Sequence, residues 1–263
     1  MLKKLIKKLA LTYAEFLVAL RPLELAVLIK FFFPLKRRII NMSSTKLSVD
    51  PISAYGLRLI KNNEYEQILL DEILKTLDNG STFVDLGANE GFFSIIASSK
   101  CGNDGNIIAI EPQQSMVQVI NTNINLNGIN NITIIKKGVS NALGKTRIIN
   151  YPSINTGASR IGSSWRYRLY KSEEIELDTL DNILSSCNVN IVDAIKIDIE
   201  GYEYNALMSA NDLLNRKLIK NLFVEIHPQY LKDLNQTSDM VREFMESKSY
   251  NFREINDVYH FYL

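Results

Sequence analysis

The run Ile195-Lys196-Ile197-Asp198-Ile199-Glu200-Gly201-Tyr202-Glu203 ends an apolar stretch in three acids. Strand alternation puts Lys196 and Asp198 on one face, with Glu200 just past the strand end. Acids this close repel one another, so such a cluster raises carboxyl pKa values or gathers a cation. A helix amino terminus also collects acids, which accounts for Glu203 and leaves Asp198 unexplained. A second apolar run, Phe223-Val224-Glu225-Ile226, ends in His227. Asp198, then His227, are the candidate general bases, since a base must lie within reach of the proton it removes. Glu200 is a third candidate, or a hydroxyl acceptor. A divalent ion between Asp198 and Glu200 is the lesser reading, so no resident metal is expected.

A second group of residues reads as a ligand-binding turn. In Val84-Asp85-Leu86-Gly87-Ala88-Asn89-Glu90-Gly91 an apolar strand ends in an acid, and two glycines flank the turn into a helix. The carboxyl end of a first parallel strand is where α/β sheets hold nucleotides, and glycine permits close approach and positive φ. The spacing is D-x-G-x-x-x-G. It is neither the dinucleotide G-x-G-x-x-G nor a phosphate-binding loop with Lys-Ser/Thr. An acid before the glycine suits a cationic group such as the amino-acid end of S-adenosylmethionine. Glu111 ends the next apolar strand, 20 residues beyond Gly91. A carboxylate there can accept from both hydroxyls of a ribose. It supports an adenosine ligand without choosing between a methyl donor and NAD.

These residues need elements to hold them. Thr82–Leu86, Asn106–Ile110, Ile132–Lys136, Ala194–Ile199 and Leu222–Ile226 read as buried strands. Helices fit Glu64–Leu77, Gly91–Ser99, Pro112–Leu126, Thr179–Ser185, Glu203–Leu214 and Asp239–Lys248. Alternation of this kind means a mostly parallel sheet covered on both faces. Asn251–Glu254 and Val258–Tyr262 close as an antiparallel edge hairpin. Arg147–Asn150 and Ile175–Leu177 read as a strand pair around a polar loop, and short strands are expected near Tyr55–Lys61. The loop carries Asn155, Ser159, Arg160 and Trp165. Aromatic rings stack on sugar faces and arginine recognises carboxylate or phosphate, so it reads as a substrate lid or as ordinary surface.

Charge divides the chain. Residues 1–41 hold nine basic and two acidic residues, a net +7, against −6 for residues 42–263. An acidic body argues against nucleic acid as partner. Residues 1–20 are amphipathic at helical spacing, with Lys3, Lys4, Lys7 and Lys8 opposite the apolar side. A further apolar stretch runs from Pro22 to Phe31-Phe32-Phe33-Pro34, followed by Lys36-Arg37-Arg38. Charges interrupt it too often for a span of ~20 apolar residues, and no cleavage site follows. Residues 1–41 therefore read as an anchor on anionic lipid or as a helical extension packed on the main domain. Residues 42–56, rich in Ser and Thr, read as the linker into a domain over 42–263. Two separated cysteines, Cys101 and Cys187, fit a reducing cytoplasm.

Taken in order, FVDLGANEGFF (83–93), Ile110-Glu111-Pro112, NINLNG (123–128), Gly138-Val139-Ser140, Leu177–Asp181 and IKIDIEGYE (195–203) resemble the FkbM family of S-adenosylmethionine-dependent methyltransferases. The resemblance spans residues 55–263 and does not reach residues 1–41. It implies a Rossmann-like class I fold of seven strands and O-methylation of sugars, glycans, glycolipids or related metabolites. It also implies that Asp85, Gly87, Asn89 and Gly91 cradle the methionine end, Glu111 holds the ribose, and Gly138 and Val139 border the adenine. Asp198 lies where donor meets acceptor. The expected partner is a small-molecule, glycan or lipid-linked acceptor, in the cytoplasm or at the inner membrane face. An NAD-dependent oxidoreductase and a non-catalytic scaffold are the alternatives.

Overall fold

The computed structural model describes residues 2–42, 44–149, 160–161 and 172–263. Helices α1 (Leu2–Ala19) and α2 (Leu23–Phe32) come first, then a hairpin of β1 (Arg38–Met42) and β2 (Thr45–Val49). Next are α3 (Ala54–Asn62), α4 (Gln67–Lys75), β3 (Thr82–Leu86), α5 (Phe92–Cys101), β4 (Asn106–Ile110), α6 (Gln114–Asn127) and β5 (Ile132–Ile135). Short β6 (Gly138–Val139) precedes β7 (Gly144–Ile149), β8 (Arg160–Ile161) and β9 (Ser172–Asp178). The rest is α7 (Leu180–Ser186), β10 (Ala194–Ile197), α8 (Glu203–Met208), α9 (Asn211–Asn215), β11 (Asn221–Glu225), α10 (Pro228–Leu231), α11 (Ser238–Ser247), β12 (Asn251–Ile255) and β13 (Val258–Tyr262).

The central sheet runs β12-β13-β11-β10-β3-β4-β5. Its five inner and right-hand strands are parallel, and β13 is antiparallel to both β11 and β12. This is the seven-stranded, mostly parallel arrangement expected, with its antiparallel edge hairpin. Alternation sends side chains to opposite faces. Val84, Ile195 and Val224 pack with α7, α8 and α11 residues such as Ile183, Leu207 and Val241. Phe83, Ile107 and Phe223 pack on the other face with Leu47, Ile73, Phe93 and Ile95. The register Lys196↔Asp85 and Ile197↔Leu86 brings the carboxyl ends of β3 and β10 level. That alignment builds the site.

Three expectations are corrected. The presumed linker over residues 42–56 contains strand β2, which pairs antiparallel with the preceding β1. Its order comes from tertiary partners: the backbone N–H groups of Ser48 and Lys46 donate to the Asn123 and Asn127 side chains of α6, and Leu47 and Val49 are buried. The expected strands near Tyr55–Lys61 are helix α3. The overlooked signal is Ser53, whose Oγ accepts from the Gly56 N–H as an N-cap. The single helix expected over Glu203–Leu214 is two, broken at Ser209, whose Oγ donates to the Ala206 carbonyl and accepts from the Leu180 N–H.

Helices α1 and α2 pack on the main body through Ala14, Leu17, Ala26, Ile52 and Leu57. Lys30 pairs with Asp50 at 2.6 Å, and Lys61 with Glu15 at 2.8 Å. No described helix is long and apolar enough to cross a membrane.

Candidate active site

The turn after β3 is pinned from beneath and from the side. The N–H groups of Gly87 and Ala88 both donate to the Ile110 carbonyl, at 3.0 and 3.1 Å. Gly87 has φ +84°, and a Cβ there would lie 1.8 Å from the Asp198 carbonyl oxygen. Glycine is thus required twice over, by conformation and by the closeness of the β10 end. Gly91 has φ +84° and Asn89 φ +49°, the left-handed region where asparagine is tolerated. The Glu111 carboxylate accepts from the Asn89 N–H at 2.9 Å and from the Gln113 N–H at 2.9 Å. Burial pushes its pKa up, against those two hydrogen bonds, to about 7.

Asp85 is buried and spends Oδ2 on the start of α5, accepting from the Ser94 N–H at 3.0 Å and the Ser94 hydroxyl at 2.6 Å. Its other oxygen, Oδ1, and the Asn89 Oδ1 are buried with no hydrogen-bond partner among the described residues. Buried acceptors without partners are costly. Two of them on one turn suit a cationic donor such as an α-ammonium group, so the residues present fit the amino-acid end of S-adenosylmethionine. Glu90 faces away, paired with Arg37, which also donates to the Ser48 carbonyl at 2.7 Å. Beyond β5, Gly138 and Val139 pair with Leu177 and Asp178, and Lys137 pairs with Asp178 at 2.8 Å.

Across the turn lies the acidic cluster. The Lys196 ammonium donates to Asp198 Oδ2 at 3.0 Å. Burial opposes its charge, but Asp198 and Asp85 outweigh that and raise its pKa. The Asp198 N–H donates to the Leu86 carbonyl, which fixes the end of β10 against β3. His227 follows β11. Its Nδ1 lies 2.8 Å from Glu203 Oε1, while Nε2 faces Glu200 at 3.7 Å, Glu225 at 3.8 Å and Asp198 at 3.9 Å. Burial works against the imidazolium, yet the Glu203 hydrogen bond and the carboxylates raise the His227 pKa to about 9. Glu200 moves to about 7, chiefly through burial, with His227 pulling the other way. Burial and Asp198 likewise lift Glu225 to about 7. Glu200 also has φ +51°, a conformation that is strained for a non-glycine residue.

Asp198, Glu200 and His227 offer ligand atoms within 4.8 Å of one another and could grip a divalent cation. Lys196 and protonated His227 already supply two positive charges to the same carboxylates.

The structure brings together Asp85, Gly87, Asn89, Gly91 and Glu111 on one side and Asp198, Glu200 and His227 on the other. Of the expected lid, Asn155, Ser159 and Trp165 lie outside the described residues, and Arg160 appears as backbone in β8. Sequence reasoning missed Glu225, although its spacing two residues before His227 was a usable signal. It gave Glu203 to a helix start; the carboxylate instead accepts from the Gly201 N–H at 2.8 Å and holds the His227 ring. Tyr55, Tyr65 and Phe92, whose rings meet edge to face at 4.9–6.1 Å, pack with the core behind this edge of the sheet.

No curated protein matches this sequence. Several solved structures do. The FkbM methyltransferase of Methylobacillus flagellatus is 17% identical with a TM-score of 0.48, over 71% of this chain and 44% of that one. The present chain thus corresponds to less than half of that protein. An rRNA methylase from Streptococcus thermophilus is 12% identical with a TM-score of 0.46, over 74% and 94% of the two chains. An S-adenosylmethionine-dependent methyltransferase from Aquifex aeolicus is 16% identical with a TM-score of 0.40, over 77% and 95%. At these scores the sequence family carries the assignment. Residues 85–253, well over half of the chain, match the methyltransferase FkbM domain. With the cofactor turn at one end of that span and the acidic strand end within it, this chain belongs to the FkbM family of S-adenosylmethionine-dependent methyltransferases.

Proposed function

We propose that the protein methylates a hydroxyl oxygen of a sugar, glycan, glycolipid or related metabolite, with Glu200 as the general base. One observation carries this reading. A carboxylate with a pKa of about 7 stands beside the end of β10, level with the turn that would hold the methyl donor.

S-adenosylmethionine supplies an electrophilic methyl on a sulfonium and leaves as a neutral thioether. The protein's part is to place the acceptor oxygen and remove its proton. Asp85 and Asn89 would hold the ammonium of the donor and Glu111 its ribose diol, and Gly138 and Val139 would line the adenine. Glu200 is half-deprotonated near neutrality, which suits a base whose pKa must sit near the working pH. His227, expected as a second base, is protonated at that pH and cannot take a proton there. Its ring, held by Glu203, is a positioning group that keeps Asp198, Glu200 and Glu225 together. Asp198, tied to Lys196, is better placed to accept a hydrogen bond from the incoming hydroxyl than to carry its proton.

The same cluster bears on acceptor class. Lys196 and His227 largely match the charge on Asp198, Glu200 and Glu225, so the cluster offers hydrogen-bond acceptors to the hydroxyl-rich face of a sugar and no cationic groove for a phosphodiester chain. Nucleic acid is therefore the disfavoured acceptor. The test is transfer of isotope-labelled methyl from the donor into lysate fractions, followed by mass spectrometry. Label in glycans or glycolipids supports the reading, and label confined to RNA overturns it.

A further inference from the structure

Part of the apolar surface of α1 and α2 does not face the body. Leu5, Leu9 and Phe16 recur at helical spacing along the outer side of α1 and are exposed, as is Ile6. At the tip of α2, Phe31, Phe32 and Phe33 are 76, 65 and 68% exposed. Soluble surfaces rarely carry three adjacent bare phenylalanines beside an apolar helical stripe. The packed side of the pair is already accounted for by Ala14, Leu17 and Ala26, so the outer side has no partner within the described residues.

The charges around this stripe name its occupant. Lys7 and Lys8 are exposed on the first turns of α1, and Lys36 is exposed just after the phenylalanines. Residues 1–41 carry a net +7, while residues 42–263 carry −6. We infer that the outer face of α1 and the Phe31–Phe33 tip dock on an anionic lipid bilayer surface, without crossing it. Helix α1, 18 residues long, would lie along the interface with its apolar stripe in the acyl boundary and lysines reaching headgroups. Leu5, Leu9 and Phe16 supply the insertion, and the lysines supply preference for negative lipid. A second copy of the chain would cover the apolar stripe equally well, but its own lysines would then face like charge.

Docking would also place the site. Arg37 is four residues beyond Phe33, so their Cα atoms are at most about 14 Å apart. Arg37 is the partner of Glu90 in the cofactor turn, so the turn is tethered close to the proposed lipid contact. The inference concerns the helices alone and stands whether or not the acceptor is a glycan.

The experiment is cosedimentation of the full chain with phosphatidylcholine vesicles, with and without phosphatidylglycerol. Binding is expected to the anionic vesicles, weakening as salt rises. Phe31→Ser/Phe32→Ser/Phe33→Ser should abolish it while S-adenosylhomocysteine affinity, measured by calorimetry, stays unchanged. That retained affinity shows the variant is folded. Lys7→Gln/Lys8→Gln should weaken binding by on the order of fivefold for each lysine removed. No vesicle binding, or equal binding to neutral and anionic vesicles, overturns the inference. So does a dimer in lipid-free solution that the triple serine variant converts to monomer.

Discussion

His227 and His260 belong to one sheet and to opposite environments. His227 follows β11 at the carboxyl edge and faces four carboxylates, which raise its pKa to about 9. His260 lies within β13, stacked on Phe223 at 4.2 Å between ring centres. Its Nδ1 accepts from Arg253 Nε at 2.8 Å and its Nε2 lies 3.1 Å from the Asn221 side-chain oxygen. Burial and then the Arg253 charge lower its pKa to about 4. A histidine in the sheet body is neutral and satisfied by its neighbours. At the carboxyl edge, where strands stop and polar side chains converge, it is a cation holding acids together. Position on the sheet separates a neutral histidine from a charged one.

That contrast can be broken experimentally. The largest effect is expected at the edge. Glu200→Gln should lower kcat by about 10²- to 10⁴-fold, the range for losing a general base, with S-adenosylhomocysteine affinity retained in calorimetry. Wild-type kcat in that variant removes Glu200 from the role. His227→Gln should cost less, about ten- to a hundredfold in kcat, as for one lost hydrogen bond to a charged group. His260→Gln should leave kcat intact and instead cost about 1–3 kcal/mol in urea denaturation, since it disturbs a buried satisfied group. Equal effects of the two substitutions on kcat would erase the distinction.

Acidity sharpens it further. The kcat profile should rise through about pH 7 as Glu200 loses its proton, then fall near pH 9 as His227 loses its own. Stability follows the signs of the two shifts. The His227 pKa is raised above its ordinary 6.5, so its contribution is full below 6.5 and disappears as pH rises through about 9. The His260 pKa is lowered, so its contribution is present above 6.5 and disappears as pH falls through about 4. Proton resonances of the two rings, followed from pH 3 to 10, report both directly. The smallest expected effect is none: chelation by EDTA should leave kcat unchanged, because Lys196 and His227 already compensate the carboxylates. Loss on chelation, restored by a divalent ion, would instead assign the Asp198–Glu200–His227 cluster to a metal.

Much of the fold was legible because the signals were local. Apolar runs of strand length punctuated by Gly, Asn and Asp placed β3, β4 and β13 at their observed bounds. The D-x-G-x-x-x-G turn announced itself because only glycine satisfies both its φ and its closeness to Asp198. The misreadings came where local and tertiary forces diverge. Leu57 and Leu59 alternate like a strand, yet the Ser53 cap and packing under α1 make a helix. Thr45–Val49 looks like linker until Asn123 and Asn127 of α6 are there to bind its backbone.

By itself the sequence determined the order of strands and helices, the glycine turn, and which acids stand at strand ends, since each depends on neighbours a few residues away. It could not decide how those acids titrate. That depends on distances between β3, β10 and β11, on burial, and on Glu203 accepting a hydrogen bond from a ring 24 residues away in the chain. Asp198 ranked first on strand position. Its Lys196 partner, and the burial that lifts Glu200 to about 7, exist only once the sheet has formed, because a pKa reports the field of the whole fold.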